Sequence, residues 1–406
     1  MLVGHLFAGD LFSVVEESDG SILTLDYFDY SGSRGKLDSL SLSTHEWTTK
    51  VFPRTVGAPG WTATVYALAA SSDGSKLYVT ETCYPGYEPE WYDEDEGISK
   101  STDSGSTWAR KKHDGCYTAI ASSTNGMTVI ALGNPSLTIT TDGGETWNSP
   151  KTPPSDEAIV SAPSVASPGG AIAISSDGTK VVITTGLRFE GMWHSNFGRE
   201  DVMFDSTPPG HIHTSSDSGL TWAVTSAPAA RWMSVASSLD GLKLAAVVWS
   251  GGIYVSTDRG GTWTLTSATT QKWSAIASSS DGSRLIAVVF GGGLYSSTNG
   301  GTSWNQLTSV PSSPWARVAS SADGTELIAL AIKFWPLLGE GGAWISFDAG
   351  ATWTKISSNN PHPPVPPFPP PAPPPSPPNM GKEVQFCSSS CVAHIGLNNI
   401  LVCIYM

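Results

Sequence analysis

Hydrophobic and polar positions recur in short blocks along most of this chain. The block from Trp273 to Leu307 shows the plan best: WSAIASSSDGSRLIAVVFGGGLYSSTNGGTSWNQL. Small apolar residues over Ser274–Ser278 predict a strand, A, suited to a crowded interior. Asp281-Gly282 then supplies the positive φ that a tight hairpin turn needs. Arg284–Phe290 predicts strand B, and a Gly-rich link leads to strand C at Leu294–Thr298. A second turn precedes strand D, expected from Thr302 onward. The segments starting at Trp232 and Trp315 follow the same plan.

The plan repeats along the chain. Asp/Asn-Gly turns stand at Asp19-Gly20, Asp73-Gly74, Asn125-Gly126, Asp177-Gly178, Asp240-Gly241, Asp281-Gly282 and Asp323-Gly324. Between and after them fall Trp47, Trp108, Trp147, Trp222, Trp263, Trp304 and Trp353. The two series interleave without a miss, which defines seven two-hairpin units, numbered 1 to 7 by their closing tryptophan. Repeated four-stranded units predict an all-β fold, a single seven-bladed β-propeller over residues 1–356. A six-membered ring that omits the less regular first unit is the alternative. A proline-rich linker at 357–380 and a short Cys-containing tail at 381–406, read as disordered or truncated, complete the chain.

Charged residues make up 14% of the 406 positions, and the formal net charge is -14. An acidic surface repels phosphate backbones, so nucleic acid is not an expected partner. There is no apolar run of about 18 residues, so no membrane span is expected. The N-terminal MLVGHLFAGDLFSVV lacks a basic segment and holds Asp10 within its apolar stretch. It reads as a first strand and not as a signal peptide.

The second turn of each unit carries a motif. It reads STDSGSTW at Ser101–Trp108, TTDGGETW at Thr140–Trp147, SSDSGLTW at Ser215–Trp222, STDRGGTW at Ser256–Trp263, STNGGTSW at Ser297–Trp304 and SFDAGATW at Ser346–Trp353. In unit 1, SLSTHEW is a decayed copy without the Asp. The motif resembles the Asp-box of the BNR-repeat family, S/T-x-D-x-G-x-T-W, and the resemblance covers roughly residues 1–356. Asp103, Asp142, Asp217, Asp258, Asn299 and Asp348 are expected to accept hydrogen bonds from their own turns. The box glycines take up positive φ, and the rings of Trp108, Trp147, Trp222, Trp263, Trp304 and Trp353 pack against sheets. These residues are therefore expected to be structural, and no catalytic residue is assigned.

Strand order puts the A–B and C–D turns on one face and the B–C and D–A links on the other. Insertions collect on the second face: ETCYPGYEPEWYDEDEG in unit 2, the stretch around RFEGMWHSNFGREDVMF in unit 4, and KFWPLLGE in unit 7. They bring Trp91, Tyr92, Trp193 and Trp335, among other aromatics. Inserted loops on a rigid scaffold commonly carry function. Tyr117, Trp232, Trp273 and Trp315 stand at the entrance of strand A, where they would form an aromatic rim for a sugar or peptide or wedge between units, two readings that do not exclude one another. The acidic run Glu88–Glu96 lacks the ordered ligand spacing of a calcium loop. His211 and His213, with His194 nearby in sequence, lack an identifiable third metal ligand. No metal or cofactor is expected.

Cys83 and Cys116 both fall on the insertion face of adjacent units, so a disulfide between them is expected on geometric grounds, with an oxidising compartment. From Pro361 to Pro378 the sequence PHPPVPPFPPPAPPPSPP dictates extended polyproline II. It is similar in composition to the proline-rich segments of plant and algal wall glycoproteins. That points to an extracellular or wall-associated setting, with an organelle lumen as the alternative.

The repeats also resemble the photosystem II assembly factors of the YCF48 type, which implies a non-enzymatic scaffold that binds a protein. A lectin-like module binding glycan through the rim is a second binding reading. The resulting expectation is a monomeric binding propeller for protein or glycan, acting through the insertion face. The alternative is a glycoside hydrolase. Sialidases need an arginine clamp and an Arg-Ile-Pro start, and Phe52-Pro53-Arg54 does not match. Paired carboxylates would come from Glu88, Glu90, Asp93, Glu190, Glu200 and Asp201, and nothing singles out two of them.

Overall fold

A computed structural model gives the architecture. It describes residues 65–81, 97–112, 116–134, 137–150, 168–185, 209–331 and 342–356. It also describes the strand backbones Val14–Glu16, Ser21–Asp26, Lys36–Ser41, Trp47–Val51, Leu187–Arg188, Glu383–Gln385 and His394–Gly396. The described residues form antiparallel sheets, and among them there is no helix long and apolar enough to cross a membrane.

Unit 6 shows how the sequence makes its sheet. Strands Gln271–Ser278, Leu285–Gly292, Leu294–Ser297 and Asn305–Leu307 pair in order, with Ile276 opposite Ala287 and Tyr295 opposite Gln306. Strand A begins earlier than the repeat predicts because Gln271 and Lys272 pair with Gly251 and Trp249 of unit 5. Phe290 and Gly292 pair in the same way with Pro314 and Ser313 of unit 7. These links between units are invisible when one repeat is read alone. Strand D begins later because the box holds its residues in the turn: the Ser303 N–H donates to Asn299 Oδ1 at 2.9 Å.

The small apolar residues of strand A are buried, as Ala67, Leu68, Ala119, Ile120, Val235 and Ile276 show. Strands A of consecutive units pack on one another from unit 2 to unit 7. Their turns are joined by backbone hydrogen bonds. Ser72 N–H donates to Thr124 O (2.8 Å), Thr124 to Ser176 (3.0 Å), Ser176 to Leu239 (2.9 Å), Leu239 to Ser280 (2.7 Å) and Ser280 to Ala322 (2.8 Å). Ala322 in turn packs on the apolar cluster of units 2 and 3, so the row of sheets curves back on itself. The C–D turns lie on the same face as the A–B turns: Ser218 N–H donates to Thr179 O at 2.9 Å, and Arg259 N–H to Leu242 O at 2.9 Å. In the tail, Glu383–Gln385 pairs antiparallel with His394–Gly396.

Candidate functional site

The box turns come first, because their carboxylates repeat from unit to unit with one hydrogen-bond pattern. In unit 5, Asp258 Oδ1 accepts from the Thr262 N–H at 2.8 Å and from the Ser256 hydroxyl at 2.8 Å, while Oδ2 accepts from the Thr262 hydroxyl at 2.7 Å. Asp103, Asp142, Asp217 and Asp348 make the same set. Asn299 copies it with an amide that donates to Ser303 Oγ at 2.9 Å. Hydrogen bonds from Thr107, then from Ser101, hold Asp103 down at about 2. Those from Thr146 and Thr140 hold Asp142 far below the ordinary carboxylate range. A carboxylate locked in its ionised form cannot donate a proton, so these groups are unsuited to general acid catalysis.

The box also fixes backbone strain. Its fourth position has positive φ in every described copy, and in unit 5 it is Arg259 at φ 62. Units 3 and 6 place Gly143 and Gly300 there. An L-residue in this region costs about 1–2 kcal/mol. Arg259→Gly is therefore expected to stabilise the fold by about 0.5–1 kcal/mol, part of the relief being offset by glycine's greater unfolded-state freedom. Chemical denaturation of the two proteins checks it.

The entrance aromatics are buried, and the three tryptophans among them meet rings of their own units. Tyr117 is 3% exposed, and Trp232, Trp273 and Trp315 are 0% exposed. Trp273 meets Tyr295 edge-on at 5.1 Å and Trp304 at 6.4 Å. Trp232 meets Tyr254 at 5.3 Å and Trp263 at 6.3 Å, and Trp315 meets Trp344 at 6.2 Å. Rings held this way offer no open face to a sugar. Trp91, Tyr92, Trp193, Trp335 and Cys83 lie outside the described residues, as do Glu88, Glu90, Asp93, Glu190, Glu200, Asp201 and His194. Cys116 is described only as the first backbone residue of Cys116–Ser122. His213 is buried and its ring lies 6.4 Å from that of His211. Among the described residues, no three His, Cys, Asp or Glu side chains gather as a metal site would require.

The structure does bring together an aromatic and cationic patch that the repeat reading did not single out. Trp249 and Phe290, at the insertion-face ends of strands B in units 5 and 6, lie 5.8 Å apart. Lys272 stands over the Trp249 ring, with Nζ 5.9 Å from its centroid. Trp249 is nearly buried, while Phe290 is only partly so. The signal was present in WSGG and FGGG, an aromatic two residues before a Gly-Gly pair or beside a Gly run. The glycines keep the B–C link short and leave these rings at the face.

Comparison with known proteins agrees with this architecture. Residues 254–265 match the BNR/Asp-box repeat. No curated protein matches the chain in sequence. Among solved structures it is similar to YCF48 from Cyanidioschyzon merolae, at 12% identity over 84% of this chain and 95% of that one, with a TM-score of 0.53. A structure of YCF48 bound to D1 peptide matches at 15% identity over 87% and 97%, with a TM-score of 0.48. An oligogalacturonate lyase in complex with manganese matches at 13% identity over 84% and 86%, with a TM-score of 0.49. The chain carries the BNR/Asp-box repeat and has an all-β propeller fold resembling that of YCF48.

Proposed function

We propose that the chain is a non-enzymatic, seven-bladed binding propeller that takes a protein segment on its insertion face. The Trp249–Phe290–Lys272 patch carries this reading. It joins a partly exposed ring to a cation where three units are stitched by backbone pairing, so the surface is rigid as well as adhesive. Rigid aromatic anchors are enriched at the core of protein-binding surfaces, and a charge at their edge steers and orients the partner. The unit 2, 4 and 7 insertions border the same face in the strand order. A glycan reading has less support, because the rings it would stack on are buried.

The blade number rests on one further observation. Support comes from strands Val14–Glu16, Ser21–Asp26, Lys36–Ser41 and Trp47–Val51, which pair in order as one sheet although unit 1 has lost its box Asp. A four-stranded sheet at this point of the repeat favours a ring of seven over one of six. In this reading residues 1–356 form the propeller, 357–380 the linker and 381–406 the tail, and the protein works as a monomer.

A peptide library panned against the full chain tests the binding face. Peptides enriched in that way are expected to lose at least about tenfold in affinity for Phe290→Ala and for Lys272→Ala, a change of roughly 1.4 kcal/mol. Lys76→Ala and Lys243→Ala, on the turn face, should leave binding unchanged. The opposite pattern by fluorescence anisotropy would move the site to the turn face.

A further inference from the structure

Asn-Gly occurs twice in this chain, and the two turns hold it differently. Asn125-Gly126 makes the A–B turn of unit 3, where the other described A–B turns have Asp73, Asp177, Asp240, Asp281 and Asp323. Asn299-Gly300 belongs to the box of unit 6, where the other described boxes have an aspartate. An asparagine followed by glycine is open to attack on its own side chain, because glycine puts no side chain in the way of the approach. The glycine nitrogen must reach the asparagine Cγ. Both the carboxamide and the peptide plane have to turn, and every hydrogen bond on either one opposes that.

Asn299 is held at each of these atoms. Its Oδ1 accepts from the Ser303 N–H and the Ser297 hydroxyl, both at 2.9 Å, and its Nδ2 donates to Ser303 Oγ at 2.9 Å. Its carbonyl accepts from the Thr302 hydroxyl at 2.9 Å. The Gly300 N–H donates to Ser283 O at 2.8 Å, which ties the box to the A–B turn. Asn125 is exposed and more loosely held. Its Oδ1 accepts from the Ser123 hydroxyl and the Met127 N–H, both at 2.9 Å, but its Nδ2 has no hydrogen bond among the described residues. Its carbonyl accepts from Lys76 Nζ at 2.7 Å, the tip of a flexible side chain. The Gly126 N–H donates at 2.9 Å to Ser123 O, inside its own turn, so no second turn has to separate before that bond opens.

We propose that Asn125 is a site of spontaneous deamidation and that the box protects Asn299 from the same reaction. Hydroxide removes the Gly126 amide proton, and the nitrogen attacks Asn125 Cγ. The N–Cγ bond forms as the Cγ–Nδ2 bond breaks, and Nδ2 leaves as ammonia with a proton from water. Water then opens the five-membered imide at one of its two carbonyls. The net change is amide plus water to carboxylic acid plus ammonia. Opening at Cγ gives aspartate, the residue that the other described A–B turns use, and the bonds from Ser123 and Met127 are kept. Opening at the main-chain carbonyl gives isoaspartate, whose backbone is one carbon longer. That displaces Gly126 O, which accepts from the buried Tyr78 hydroxyl at 2.7 Å, and so weakens the contact between units 2 and 3.

Peptide mapping by mass spectrometry, on the full chain incubated folded at alkaline pH, tests this. Asn125 is expected to convert at least about fivefold faster than Asn299, the effect of one or two fewer hydrogen bonds. In urea the two should convert at similar rates, because each is then simply Asn-Gly in an open chain. Lys76→Ala uncovers Gly126 and releases the Asn125 carbonyl, so it should speed conversion at Asn125 at least about twofold and leave Asn299 unchanged. Asn125→Asp should keep the wild-type Tm, while the isoaspartyl form, separated by chromatography, should melt lower. Equal rates at the two sites in the folded chain would overturn the proposal. So would an intact Asn125 in folded protein after the denatured chain has converted at both sites.

Discussion

Trp273→Ala is expected to cost about 3–5 kcal/mol of stability, the range for truncating a large aromatic in a packed interior. The indole is fully buried. It lies edge-on to Tyr295 and close to Trp304 of the same unit, and its Nε1–H donates to Thr269 O at 3.3 Å. Removing it leaves a cavity where three elements of one sheet meet, so the surrounding structure can close in only partly. Equilibrium denaturation measures the loss directly. Phe290→Ala, at a partly buried ring, should cost less while affecting binding. A Trp273→Ala protein of unchanged stability that had lost a ligand would restore the aromatic-rim reading for this position.

Glu326→Gln is expected to stabilise the protein by about 1–2 kcal/mol at pH 8 and to have almost no effect near pH 4, after discounting for the group's partial exposure. Glu326 occupies the place that Lys76 and Lys243 occupy in units 2 and 5. Those lysines reach the next unit's turn, Lys76 Nζ donating to Asn125 O at 2.7 Å and Lys243 Nζ to Asp281 O at 2.8 Å. A carboxylate cannot make that bond. Glu326 Oε2 is buried without a hydrogen-bond partner among the described residues. Burial, and after it the charge of Asp323, push its pKa up to about 7. An acid whose folded pKa is raised favours folding while it is neutral. Its contribution is full below its unfolded value near 4.5 and is lost as pH rises through 7. Glutamine holds the neutral form at every pH, so the two denaturation curves should coincide in acid and separate above neutrality. Curves that stay together at pH 8 would show that Glu326 is hydrated.

Much of the fold was legible in the repeat. Strand B of unit 6 was expected at Arg284–Phe290 and runs over Leu285–Gly292, and strand C lies within one residue of its expected span. Turn chemistry explains that success: Asp281-Gly282 and Asn299 through Gly301 leave the backbone few choices, with Gly282 at φ 68 and Gly301 at φ 89. The side on which Trp273 points was not legible. Its position in the repeat put it near the channel mouth, but a register shift between Trp273 and Ala275 accompanies its place in the sheet's aromatic stack. The Lys272–Trp249–Phe290 patch escaped for a different reason. It depends on pairing between units, where Trp249 faces Lys272 across a seam, and no single repeat contains both sides.

Cross-linking mass spectrometry on the full chain tests the insertion-face account most directly. A library-selected peptide with a free terminal amine would be bound and treated with a short amine-reactive linker. The account predicts cross-links to Lys272, beside Trp249 and Phe290. Cross-links confined to Lys76 and Lys243, whose ammonium groups lie among the A–B turns on the opposite face, would contradict it.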